Sequence, residues 1–329
     1  MRGQRLLGLL TTATAAVALA VSGCTEDASR DSEAAAPHAE SSGPTTGGAA
    51  SEAPSTDLIL DVDLDGRAIH VTCFGPTDET TPTVLLEAGA GAPSDTWDAV
   101  VDALAPTRRV CSYDRAGTGA SQLPAGPPRT SKDLVADLEA VLDRADIEGP
   151  FVLVGHSMAV WPLSLYAAAH PDDVAGVVLV DPRGPHVSAR MRAALPPPNP
   201  DEPEQVTLER EGLGAFERDP NLNPEHLQFT RAMAEASAVL DAPGPLFGDA
   251  PMRVLSGEYT YLIWQGLPPR LAKEFRRIWL DGQKSLAEES TDGSYEVVMD
   301  SQHEIQADQP QAVIDAIESV LGASSADRE

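Results

Sequence analysis

The chain has 329 residues, with 51 acidic against 23 basic side chains and a formal net charge of −28. That length admits one large α/β domain with extensions, and the acidic excess argues against nucleic acid or an anionic lipid surface as an electrostatic partner. The acidity is spread along the chain, so it reports solubility and says little about substrate.

Residues 1–23 read as a targeting segment: Arg2 and Arg5 supply the positive end, and Leu6 to Ala20 the apolar stretch. Val21-Ser22-Gly23-Cys24 resembles a bacterial lipobox, in which the cysteine is acylated and becomes the mature N-terminus. A plain secretory signal or a short membrane anchor is the alternative, although the apolar run is short for a span of about 20 residues. Fatty-acyl chains of palmitate type on Cys24 would hold the protein on the extracytoplasmic face of a cell membrane, anchored and not spanning. Residues 24–56 are rich in Ala, Ser, Glu, Gly and Pro without apolar period, which predicts a disordered tether behind the lipid anchor.

The folded part is expected over residues 57–321. Asp57 to Asp65 alternates as a half-buried strand, Asp65-Gly66 marks a hairpin turn, and Arg67 to Phe74 returns. Thr83 to Glu87 is a buried strand running into Ala88-Gly89-Ala90-Gly91, a small-residue loop that lets main-chain amides approach a ligand. A helix over Trp97–Leu104 and a strand over Arg109–Tyr113 follow, then a long turn from Asp114 to Ser121. Ser131 is expected to cap a helix through Leu142, with Leu134, Val135, Leu138 and Val141 on one face.

Phe151-Val152-Leu153-Val154 then reads as a short buried strand, and Leu163, Tyr166 and Ala167 recur at helical spacing beyond it. Gly155-His156-Ser157-Met158-Ala159 between them fits the strand–turn–helix termed a nucleophile elbow, with Ala159 in place of the last glycine. Such a turn lifts the Ser157 hydroxyl clear of the backbone and sets the Met158 amide where an oxyanion would form. Val174 to Asp181 is the next strand. Strands alternating with helices imply a mostly parallel sheet with helices on both faces, whose site lies beyond the carboxyl ends of the strands. Ala88–Gly91, Asp114, Ser157 and Asp181 all fall at such ends.

From about residue 183 to 250 the pattern changes: Pro-rich stretches separate amphipathic pieces, notably His226 to Leu240. An insertion of this length between strands reads as a helical lid that supplies apolar substrate contacts. Met252–Ser256 resumes the sheet, with helices expected over Pro269–Leu280 and around Gln283–Glu289. Tyr295–Met299 is the last strand, His303 lies just past it, Gln311–Leu321 closes the domain, and 322–329 reads as a disordered tail.

Leu86 to Gly91, Tyr113 to Ser121, Gly155 to Ala159, Gly176 to Asp181 and His303-Glu304-Ile305 together resemble, in order, the motifs of the α/β-hydrolase superfamily. The resemblance covers roughly residues 57–321. It implies the α/β-hydrolase fold, Ser157 as nucleophile, His303 as general base and then acid, and a carboxylate that orients His303. Two residues compete for that last role. Asp181 ends the strand after the elbow helix, where haloalkane dehalogenases among other relatives place their acid, and it is favoured here. Glu258 follows Gly257 one strand later. Many relatives carry an Asp where this chain has Thr260.

The resemblance also implies Ala90 and Met158 as oxyanion donors, and a second strand paired with the fourth, which would face Cys73 with Cys111 and allow a disulfide after export. His156 is expected to be structural. Ala159-Val160 in place of the usual glycines would crowd the elbow, and Pro162 would kink its helix. The expected activity is that of a membrane-anchored serine esterase on a small-molecule ester or amide, with no cofactor and no metal. A dehalogenase is disfavoured because its nucleophile is an Asp. An aminopeptidase of the proline-iminopeptidase type, or a non-catalytic binding lipoprotein, are the alternatives.

Overall fold

Alternation and apolar runs sort the chain into strands of two kinds. In the computed structural model, which describes residues 57–77 and 80–326, the alternating pair β1 (Leu58–Asp63) and β2 (Ala68–Phe74) forms an antiparallel hairpin. Asp65 and Gly66 take φ of 57° and 87° at its two-residue turn, the left-handed backbone such a turn demands. The apolar runs become β3 (Thr83–Glu87), β4 (Val110–Tyr113), β5 (Phe151–His156), β6 (Val174–Val180) and β7 (Met252–Gly257), followed by β8 (Gly293–Val298). Together they make one eight-stranded sheet in the order β1-β2-β4-β3-β5-β6-β7-β8. It is parallel from β4 to β8.

The central strands read as continuous apolar runs because both of their faces are covered. Along β5, Phe151 and Leu153 join one core with Leu134, Leu138, Trp161 and Ala232. Val152 and Val154 point the other way, into a core with Trp97, Leu104, Val313 and Ile317. The first core is supplied by α2 (Ser131–Arg144), α3 (Val160–Ala169) and α6 (Phe229–Leu240), and the second by α1 (Asp98–Leu104) and α9 (Pro310–Ala326). A third cluster packs α4 (Val187–Ala194) and α5 (Glu204–Arg218) against α7 (Pro269–Ala287) through Val187, Met191, Val206, Phe275 and Trp279. A short α8 (Ile305–Asp308) precedes the closing helix.

Several boundaries differ from expectation for identifiable reasons. Thr130, not Ser131, caps α2: its amide donates to Asp133 at 2.7 Å, while the Ser131 hydroxyl donates to the Ala232 carbonyl of α6 at 2.9 Å. The two helices expected after Pro269 are one 19-residue helix. Gly282 and Gln283 interrupt its apolar stripe because Gly282 lies against the Gly184 backbone and Gln283 turns inward toward a carboxylate. The closing helix runs to Ala326, beyond Leu321 and into the stretch expected to be a tail.

Pro162 stands in the first turn of α3, where its missing amide removes no established helical bond. Ala159 is accommodated because it packs on Gly155, where a side chain would come within 3.2 Å of the Ala159 Cβ. Cys73 and Cys111 are register partners on β2 and β4 and form a disulfide. The expected targeting segment, Cys24 and the tether lie outside the described residues, as do residues 327–329. No helix among the described residues is long and apolar enough to cross a membrane.

Candidate active site

Three strands end at one place, and each carries a polar side chain there. β5 stops at His156, and Ser157 turns with φ of 55° before α3 begins. A non-glycine residue in this region is strained and persists only where its surroundings hold it. Here the Arg183 amide donates to the Ser157 carbonyl at 2.8 Å and fixes the turn. β6 ends one residue before Asp181, and the segment after β8 carries His303.

The three side chains meet. His303 Nδ1 donates to Asp181 Oδ2 at 2.6 Å, and the Ser157 hydroxyl donates to His303 Nε2 at 3.0 Å. Because the Asp181 carboxylate only accepts, the imidazole proton sits on Nδ1, leaving Nε2 free to take the serine proton. Asp181 is fully buried, whereas the His303 side chain is 26% exposed. Glu258, the alternative partner, instead accepts from the Asp300 amide at 3.1 Å and makes no bond to His303.

A buried carboxylate needs donors, and Asp181 has four besides the histidine. The Gly257 amide donates at 3.1 Å, the Thr260 hydroxyl at 2.9 Å, the Trp279 indole at 3.3 Å and the Gln283 amide at 2.7 Å. Thr260, where an Asp was expected from the family resemblance, donates its hydroxyl to the carboxylate at the end of the neighbouring strand. That substitution was visible in the sequence. Trp279 and Gln283 were not, because in a helix pattern they read as ordinary surface or core residues.

His156 lies behind the histidine of the site, fully enclosed. Its Nε2 donates to the His303 carbonyl at 3.0 Å, and its Nδ1 has no hydrogen-bond partner. Burial, reinforced by the nearby His303 imidazole, pushes its pKa down to about 3, so the ring is neutral and acts as a fixed prop. The Ala88–Gly91 loop packs on the same ring. A Cβ on Gly89 would sit 2.6 Å from His156 Nδ1 and 3.6 Å from the Ser157 Cβ, so only glycine lets the loop approach the elbow. Ala90, in this loop, is exposed, and no described residue accepts from its amide. The Met158 side chain is buried beneath the elbow.

Asp114, also at a strand end, plays a different part from the three. Its carboxylate accepts from the Ser94 and Ala120 amides, both at 2.7 Å, and ties two loops together. Among the described residues, one group of side chains could hold a metal ion: His156, His303 and Glu304, with ligating atoms within 4.8 Å of one another. Both ring nitrogens of His303 already have partners in the serine–aspartate arrangement.

The sequence profile of the alpha/beta hydrolase family matches residues 84–316. The chain belongs to that family. A probable transporter of Hormonema carpetanum is 34% identical over 134 residues, which is 40% of this chain and 19% of that protein. The chain thus spans less than half the length of the curated relatives first matched, 19% and 46% of them. Among solved structures, a thermophilic esterase from Thermogutta terrifontis aligns with a TM-score of 0.55 and 21% identity, over 83% of this chain and all of that one. An enol-lactonase from Burkholderia xenovorans aligns with a TM-score of 0.55 and 20% identity, over 80% of this chain and all of its own. At these identities the likeness is one of fold.

Proposed function

We propose that this protein is a serine hydrolase, a carboxylesterase acting on small or medium apolar esters, held by acyl chains on Cys24 at the outer face of a cell membrane. The observation that carries the reading is the unbroken hydrogen-bond series from the Ser157 hydroxyl through His303 to buried Asp181, at 3.0 and 2.6 Å. A serine hydroxyl is a weak nucleophile until an imidazole removes its proton during attack, and that imidazole needs a carboxylate to hold its tautomer and stabilise the imidazolium.

In the proposed cycle Ser157 Oγ bonds to the ester carbonyl carbon while its proton passes to His303 Nε2. The negative charge gathers on the carbonyl oxygen, facing the amides of Ala90 and Met158. Collapse of this adduct breaks the bond to the alcohol, which leaves with the proton from Nε2. Water then attacks the acyl-enzyme, giving its proton to the same nitrogen, and the acid departs as Ser157 regains a hydrogen.

Neighbours described as an esterase and an enol-lactonase share the fold, and their names have an acyl–oxygen bond in common. The test is labelling of the mature domain with a fluorophosphonate. The expected result is one adduct, at Ser157, absent from Ser157→Ala, with turnover of esters in a panel of esters, amides and lactones. Folded wild-type protein that resists the probe and turns over none of the panel would overturn the proposal.

A further inference from the structure

A second buried charge cluster lies beneath the Ala88–Gly91 loop and takes no part in the series above. Arg115, 3% exposed, follows β4; Glu87 ends β3; and Glu225, 2% exposed, comes from the 183–250 insertion. Arg115 Nε and one terminal nitrogen donate to the two Glu225 oxygens at 2.7 and 2.9 Å. The other terminal nitrogen donates to Glu87 at 2.8 Å and to the Ala88 carbonyl at 2.6 Å. Burial by itself would raise the Glu225 carboxyl; the Arg115 charge and hydrogen bonds more than offset this and hold it below the ordinary carboxyl range.

Two contacts in this cluster bear on Ala90. The Arg115 guanidinium donates to the Gly89 carbonyl at 2.5 Å, and Glu225 Oε1 accepts from the Gly91 amide at 2.6 Å. The Gly89 carbonyl and the Ala90 N–H belong to one planar trans peptide, so they point in opposite directions. Pinning the carbonyl inward on Arg115 therefore turns the Ala90 N–H outward, away from the guanidinium. The next peptide is pinned in the reverse sense, its Gly91 N–H inward on Glu225. The Gly89 carbonyl also accepts from the Ala92 amide at 3.2 Å, so the loop's own turn and the Arg115–Glu225 pair together fix both peptide planes that flank Ala90.

Glu225 is itself held in place independently of Arg115. The Asn223 side chain accepts from the Leu227 amide at 2.8 Å and donates to the Leu227 carbonyl at 2.9 Å, closing the turn that carries Glu225. Arg129 and Leu227 form a parallel bridge that fastens the turn to the segment before α2. The neighbouring Pro224 carbonyl abuts Gly117, where a Cβ would fall 2.1 Å away.

We propose that Glu225 is a positioning residue of the 183–250 insertion: with Arg115 it orients the Ala90 amide as an oxyanion donor, so that docking of the insertion completes the reactive site. This rests on the serine-hydrolase reading given above. An interaction realised only at the tetrahedral stage affects kcat and leaves KM largely alone.

The test compares wild type with Glu225→Gln and Glu225→Asp for ester turnover, fluorophosphonate labelling rate, affinity for an alkyl boronic acid that forms a tetrahedral adduct on serine, and thermal midpoint. Loss of one oxyanion donor typically lowers kcat by about 10²–10³. A misdirected donor in Glu225→Gln is expected to lower kcat and labelling rate by roughly 10–100-fold, with boronate affinity falling in parallel and KM within about two-fold. Glu225→Asp, which keeps the charge, should fall between. Either folded variant with wild-type kcat and boronate affinity overturns the proposal while labelled wild type leaves the serine reading standing. Failure of both variants to fold makes Glu225 a folding residue and also overturns it. A wild-type protein that does not label overturns both readings, since no oxyanion would then form.

Discussion

Asp181 and Glu225 are both buried carboxylates with every oxygen bonded, yet one faces a histidine and the other an arginine. Asp181 draws four neutral donors from β7, the turn after it and α7, three on Oδ1 and the Thr260 hydroxyl on Oδ2, the oxygen that also meets His303, whose other nitrogen reaches Ser157. Its partner can gain and lose a proton. Glu225 is paired with a guanidinium that stays charged at any working pH, and that guanidinium is closed in by a second carboxylate and two carbonyls. On the proposed reading the first cluster switches charge and the second holds still, so that proton transfer and backbone geometry fall to separate buried carboxylates.

The comparison is broken most severely at Asp181. Asp181→Asn keeps the shape but favours the wrong imidazole tautomer, and kcat is expected to fall by about 10⁴ in steady-state ester hydrolysis. Glu258→Gln, which alters a carboxylate bonded to the Asp300 amide and the neighbouring Tyr259 side chain but not to His303, should leave turnover within about two-fold. The reverse pattern would make Glu258 the acid.

At the static cluster the larger consequence is on stability. Glu225→Ala leaves Arg115 and Glu87 buried without their third member, and breaking such a cluster costs about 3–5 kcal/mol. Urea unfolding should show this as a lower midpoint at unchanged slope. A loss below about 1 kcal/mol, the range of an exposed pair, would mean that the cluster is more hydrated than its burial implies.

His156 touches both regions and sharpens the contrast with a smaller effect. In the unfolded chain a histidine takes up a proton near its ordinary value of 6.5, but folded His156 does so only at about 3. The unfolded state therefore binds the extra proton between those limits, and stability falls as pH drops through that window. From pH 7 to pH 5 this group alone should remove about 2 kcal/mol of unfolding free energy. Denaturant titrations at the two pH values would test this: the pH-dependent loss should be smaller by about that amount in His156→Asn. An equal loss in the variant would show that other groups set the acid sensitivity.

The sheet and the strand ends that carry the candidate site were legible because buried parallel strands leave short uninterrupted apolar runs bounded by turn residues, as Val152 to Val154 and Val177 to Val180 do. The positions of Ser157, Asp181 and His303 at or just past strand ends followed from that. Helix boundaries were less legible wherever a polar side chain had an internal partner. Gln283 reads as a break in an apolar stripe, although α7 continues through it to deliver an amide to Asp181. His226 reads as helical, but α6 starts at Phe229, after the turn that aims Glu225 inward.

The strands themselves and the elbow were thus written into local pattern and spacing, since side-chain period acts over neighbouring residues, whereas the pairing of β2 with β4 was implied by the family resemblance and the strand order came from the assembled sheet. Which carboxylate meets His303, and what pins the peptides around Ala90, depended on contacts between residues 122 and 110 positions apart. A buried charge is satisfied by whichever donors the assembled elements bring to it. No one-dimensional pattern records that meeting, so only the tertiary structure decided it.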